Sequence, residues 1–183
     1  MNNTSQQYDA SIKICKDIFL KKMKDYGTAW RNLRPTSLTD QIFIKAQRIK
    51  SIEEKGTQKV GDDIKGEYIG IVNYCVMALI QLELANDTRL ELPYEEVELL
   101  YNKYTKQTKQ LMEDKNHDYG EAWREMSQES FVDLILAKIL RIKQILANEG
   151  KTTISEGIDA NFFDIVNYAV FALILIDEKV HAA

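Results

Sequence analysis

The octapeptide Lys24-Asp25-Tyr26-Gly27-Thr28-Ala29-Trp30-Arg31 returns 93 residues later as His117-Asp118-Tyr119-Gly120-Glu121-Ala122-Trp123-Arg124, and this repetition constrains the fold more than any other feature. The same offset sets Lys45-Ala46-Gln47-Arg48-Ile49 against Lys138-Ile139-Leu140-Arg141-Ile142. After one inserted residue, Ile71-Val72-Asn73-Tyr74 meets Ile165-Val166-Asn167-Tyr168. Solenoid repeats run to roughly 20 to 50 residues, so three islands in one order at this longer period describe a duplicated domain. The expectation is two tandem units, 1-88 and 89-183, related by a pseudo-twofold axis and packed as one bundle. The seam is expected near Asn86-Asp87-Thr88, with Pro93 placed to open the following helix.

Apolar spacing calls for three long helices per unit, and no stretch keeps a strand's alternation, so the class is all-α. The first helix is expected from Tyr8 to Lys24, with Ile12, Cys15, Ile18, Phe19 and Met23 on one face, and its counterpart from Pro93 to Lys115. Both stop at Asp-Tyr-Gly, where Gly27 and Gly120 suit the left-handed position that follows a helix. The second helices are expected to start at Ser37 and Ser130, each with an aspartate three residues on, Asp40 or Asp133, in the manner of a capping box. They end near Gly56 and Gly150. The third helices, Glu67 to Leu84 and Asn161 to Glu178, are apolar nearly all round and must pack on several sides as the central pair.

Composition removes several classes of function. With 45% hydrophobic and 28% charged residues, the chain is that of an ordered globular protein. A net charge of -4 supplies no overall basic field for a phosphate backbone, so nucleic acid is not the expected partner. Cys15 and Cys75 form no C-x-x-C pair, and His117 and His181 are the sole histidines, which argues against disulfide and zinc frameworks. The polar start, Met1 to Tyr8, does not read as a secretory signal, and the run Ile165 to Ile176 falls short of the roughly 20 residues of a membrane span. The expected setting is cytoplasmic, without a membrane, as a monomeric pseudo-dimer or a homodimer.

Polar residues on the buried helices are the candidates for chemistry. Asn161, Asp164 and Asn167 recur every three residues on the last helix, and Glu67, Gly70 and Asn73 hold the same places in the first unit. A carboxylate on so apolar a helix demands a cation, a metal or strong donors. Lys45 with Arg48, and Lys138 with Arg141, project together from the second helix and are able to hold phosphate; the bland alternative is a salt bridge from Arg141 to Asp164 that sets helix register, and on either reading Asp164 is expected within reach of Arg141 or Lys138. Asp25, Tyr26, Trp30 and Arg31, with Asp118, Tyr119, Trp123 and Arg124, form a set able to stack on a base or sugar and pair with its edges, or else a helix stop whose aromatic residues plug the core.

The islands DYGxAWR, KxxRI and DIVNY resemble the nucleotide modification associated domain 1 family, over nearly the whole chain twice. That resemblance implies a helical domain, sometimes in tandem, set by gene context in phage and bacterial nucleotide metabolism. The helix Asn161 to Ala172 is also similar to the E-x-x-D helix of MazG-like all-α nucleotide pyrophosphohydrolases, which supplies magnesium ligands. Carried over by residue, this likeness implies Mg2+ at Asp164 and at Glu67, with Asn161 and Gly70 in the partner positions. Each unit then holds half of the acidic pattern, and the preceding helix offers Lys and Arg where that superfamily has E-x-x-E. Two readings stand side by side: a nucleotide-binding protein, extending to magnesium-dependent hydrolysis, and a binding or scaffold module whose polar groups form internal ion pairs.

Overall fold

The structure, a computed structural model, describes residues 3-56, 63-149 and 157-183. Among them are six α-helices and no strand: α1 Thr4–Tyr26, α2 Pro35–Lys55, α3 Ile64–Glu83, α4 Tyr94–Tyr119, α5 Gln128–Ala147 and α6 Ile158–Asp177. A short 3-10 turn, Ala29–Asn32 or Ala122–Glu125, follows the first helix of each set of three.

Equivalent helices pack on each other: α3 on α6, α2 on α5, and α1 on α4. The α3/α6 pair lies between the other two pairs, because α2 and α5 cover one side while α1 and α4 cover the opposite side. The physical reason is the composition of α3 and α6, which leaves no face suited to water. On α6 every residue from Ile165 to Ile176 is buried except Tyr168, which is half-buried, so the expected central pair is the observed one. By length and composition α6 is long and apolar enough to cross a bilayer; here the bundle encloses it.

Helix starts differ from the expectation. Pro35 opens α2, its fixed φ and missing N–H suiting the first turn. Ser37 and Ser130 therefore lie inside their helices, no capping box forms, and Asp40 pairs instead with Lys143 of α5 at 3.2 Å. Side-chain caps fall instead on α1, where Asn3 accepts from the Gln6 N–H at 3.4 Å, and on α3, where Asp63 accepts from the Gly66 N–H at 2.7 Å. Gly56 is left-handed as expected of a helix stop, and Gly150 lies outside the described residues. Gly27 and Gly120 do have positive φ, 64° and 67°, but ψ of -147° and -160° places them in a region that only glycine occupies readily. These two glycines turn the chain sharply enough for Trp30 and Trp123 to drop into the core.

Candidate functional site

The two asparagines of the repeated Ile-Val-Asn-Tyr segment sit at crossing points between the units. Asn73 on α3 donates to the Cys15 carbonyl on α1 at 3.0 Å and accepts from the Tyr101 hydroxyl of α4 at 2.8 Å. Asn167 on α6 donates to the Thr108 carbonyl on α4 at 3.1 Å and accepts from the Tyr8 hydroxyl of α1 at 2.7 Å. Burial pushes the Tyr8 and Tyr101 hydroxyls well above the usual tyrosine range, so both remain neutral donors.

The arginines of the octapeptide are clamps. Arg31 donates to the Asp87 and Arg89 carbonyls at 2.6 and 3.0 Å and to the Gln81 side chain, tying the first turn to the connection between units. Arg124 reaches Thr4 at 2.8 Å, Gln7 at 2.6 Å and Glu178 at 3.1 Å, joining the start of α1 to the end of α6. The aromatic residues divide. Trp30 and Trp123 are buried plugs, while Tyr26 and Tyr119 are 75% and 79% exposed. Asp25 is exposed, and Asp118, also exposed, lies beside His117 at 3.0 Å.

The carboxylates buried on α3 and α6 each meet two cations. Glu67 is held by Arg48 at 2.7 Å and by Lys45 at 3.3 Å. Asp164 is held by Lys138 and Lys115, each at 2.9 Å. The Arg141 salt bridge to Asp164 does not form; Lys115, from the first helix of the same unit, takes that place. Lys115 and its equivalent Lys22 escaped the sequence reading, although the 93-residue offset pairs them three residues before Asp118 and Asp25.

These residues do not suit magnesium. The ion needs a near-octahedral shell of oxygens, supplied by one or two carboxylates that have not already been neutralised. Glu67 and Asp164 stand singly on different helices, each facing two positive groups, and among the described residues no cluster of three His, Cys, Asp or Glu is arranged to hold a metal.

The first unit contains a cavity of about 380 Å³ between α1, the octapeptide turn and α3. Lys22, Lys45 and Tyr26 line it with Trp30, Glu67, Asn73 and Tyr74, over an apolar floor of Phe19, Met23, Ile69 and Met77. On α3 the lining includes two glycines, Gly66 and Gly70, among larger side chains. The Lys45 stem crosses Gly70 on its way to Glu67, so that a Cβ at Gly70 would lie 2.7 Å from Lys45 Cε and the lysine would have to swing aside. In the second unit the offsets put Ala160, Phe163, Asp164 and Phe171 where the first has Gly66, Ile69, Gly70 and Met77. Phe171 stacks on Trp123 with centroids 4.1 Å apart and rings 6° from parallel. Among the described residues Lys22 forms no ion pair; it is exposed, and the position equivalent to Asp164 is Gly70.

Of the residues singled out by sequence, the cavity brings together Lys45, Glu67, Asn73, Tyr26 and Trp30. Arg48 joins through Glu67, whereas Asp25 does not line it. In the second unit Lys138 pairs with Asp164 and Trp123 stacks on Phe171, while Asp118 and Tyr119 stay in solvent.

The model of the nucleotide modification associated domain 1 family matches residues 22-82 and again 115-176. No curated protein matches the chain. No solved structure matches it either.

Proposed function

The chain belongs to the nucleotide modification associated domain 1 family, of which it carries two copies, and from that premise we propose that the first copy binds a nucleotide-class small molecule in its cavity. One observation carries the reading: lysine ammonium groups and aromatic side chains converge on a half-open cavity of suitable size, at whose exposed edge Lys22 forms no ion pair among the described residues. An anion supplies the missing counter-charge, and a partly apolar space with a few polar groups is the usual make-up of a small-molecule site. Binding without magnesium chemistry fits the donors present, so catalysis forms no part of the proposal.

Thermal shift with nucleosides, nucleotides and inorganic phosphate, each with and without a chelator, tests this. At a hundredfold excess over Kd a ligand of the native state adds about 2.7 kcal/mol. For a chain of this size that raises Tm by roughly 5 to 10 °C. The expected result is a chelator-insensitive shift with nucleotides, diminished in Lys22→Glu. The scaffold reading draws on the asparagine and arginine contacts, which spend the repeated polar residues on holding the units together. It prevails if none of these compounds moves Tm.

A further inference from the structure

The second unit contains, in its own side chains, a ring and an anion; at the equivalent places the first has Met77 and Gly70, with the Lys45 stem lying across the glycine. The aromatic ring is that of Phe171, stacked on Trp123. The anion is the Asp164 carboxylate, between Lys115 and Lys138. The first unit keeps the receiving groups, Trp30, Lys22 and Lys45, but replaces the two occupants with Met77 and Gly70. We propose that the ligand of the first unit is a nucleoside 5′-phosphate whose base takes the place of the Phe171 ring against Trp30, and whose phosphate takes the place of the Asp164 carboxylate between Lys22 and Lys45. This rests on the nucleotide-binding reading above and adds the ligand's layout and the limit of one site per chain.

Three physical points support the layout. Asp164 and Phe171 are seven residues apart on one helix, so ring and anion are separated by about 10 Å at ~1.5 Å rise per residue, a span that a sugar and a short phosphate chain can bridge. Met77 is unbranched and adaptable, able to yield the space that phenylalanine fills rigidly. Lys45 is the looser partner of Glu67, at 3.3 Å against 2.7 Å for Arg48, so its ammonium can turn to a phosphate while Arg48 keeps Glu67 neutralised.

The test uses the full chain carrying Trp123→Phe, which leaves Trp30 as the one tryptophan reporter. Quenching of Trp30 fluorescence is titrated with nucleoside 5′-monophosphates and diphosphates, the matching nucleosides, and ribose 5-phosphate. The expected result is quenching by the nucleotides at affinities about tenfold or more above either fragment, a difference of about 1.4 kcal/mol or more, since stacking and charge both contribute. Met77→Phe, a residue the second unit already accommodates at the equivalent position, is expected to abolish that binding, and Lys22→Ala to weaken it about tenfold. If ribose 5-phosphate binds as tightly as the nucleotides and Met77→Phe leaves it unaffected, the ring assignment is overturned while the anion site stands. Nucleosides binding as tightly as nucleotides would overturn the phosphate assignment. Absence of binding by every probe in the unsubstituted chain, read by calorimetry, overturns this inference and the function it rests on together.

Discussion

At the scale of single residues, the fate of a buried carboxylate turns on which cations can reach it. Asp164 sits on the central helix, 7% exposed, yet its partners are Lys115 and Lys138, whose side chains are 50% and 31% exposed. Removing the charge with Asp164→Asn leaves both ammonium groups a path to water along their flexible stems. The expected loss is therefore about 1 kcal/mol, well under the roughly 3 to 5 kcal/mol incurred when a fully buried cation is orphaned. Urea unfolding measures it, and a loss at the upper figure would show that the lysines cannot relax. Sequence placed Asp164 beside a basic residue of the preceding helix, correctly for Lys138. It did not find Lys115 or Lys22, because a lysine at the end of a solvent-facing helix carries no local mark distinguishing it from its neighbours.

At the scale of elements, the seam between α2 and α5 carries an unmatched acid. Both Glu53 carboxylate oxygens are buried without a hydrogen-bond partner among the described residues, and so is the Tyr68 hydroxyl of α3 nearby. Burial, with Glu129 and Asp133 of α5 adding negative charge, pushes the Glu53 carboxyl up to about 7. Lys50 and Glu54 border the same gap from α2. Folding thus favours the protonated acid. Its contribution is fully present below the ordinary carboxylate value of 4.5 and is lost as pH rises through about 7. Glu53→Gln, which retains the neutral shape, should match the parent in acid and exceed it in Tm at about pH 8. Melting curves at the two pH values check this; equal behaviour at both would show that Glu53 titrates as an exposed group. The helices themselves were readable from their apolar periods. The acid was not, since its neighbours across the seam are brought together only by packing.

At the scale of the molecule, the units are exchanged rather than merely adjacent. Tyr8 of the first set of helices is received by Asn167 of the last, and Tyr101 of α4 by Asn73 of α3. Because α3 and α6 share one core, unfolding should be a single cooperative transition. Asn167→Ala is expected to cost about 1 to 3 kcal/mol by removing the amide that joins the Tyr8 hydroxyl to the Thr108 carbonyl, although that hydroxyl keeps Thr108 Oγ1 as an acceptor at 2.7 Å, while far-UV and tryptophan signals continue to coincide. Separate transitions for the two signals would mean that the units unfold independently.

What the chain determined by itself is what repetition and period encode: the duplication, six amphipathic or wholly apolar helices, the glycine turns and the choice of central pair, all of which follow from short-range spacing and the need to bury apolar surface. Tertiary structure alone decided that the repeated asparagines and arginines serve the joint between units, and that the candidate site survives in one unit. The physical reason is size and charge at a few offset pairs, Gly70 against Asp164 and Met77 against Phe171, whose side chains either fill a space or leave it. That space is bounded by α1 and the octapeptide turn, which the sequence does not set beside α3, so its presence is a property of the packed bundle and not of either helix alone.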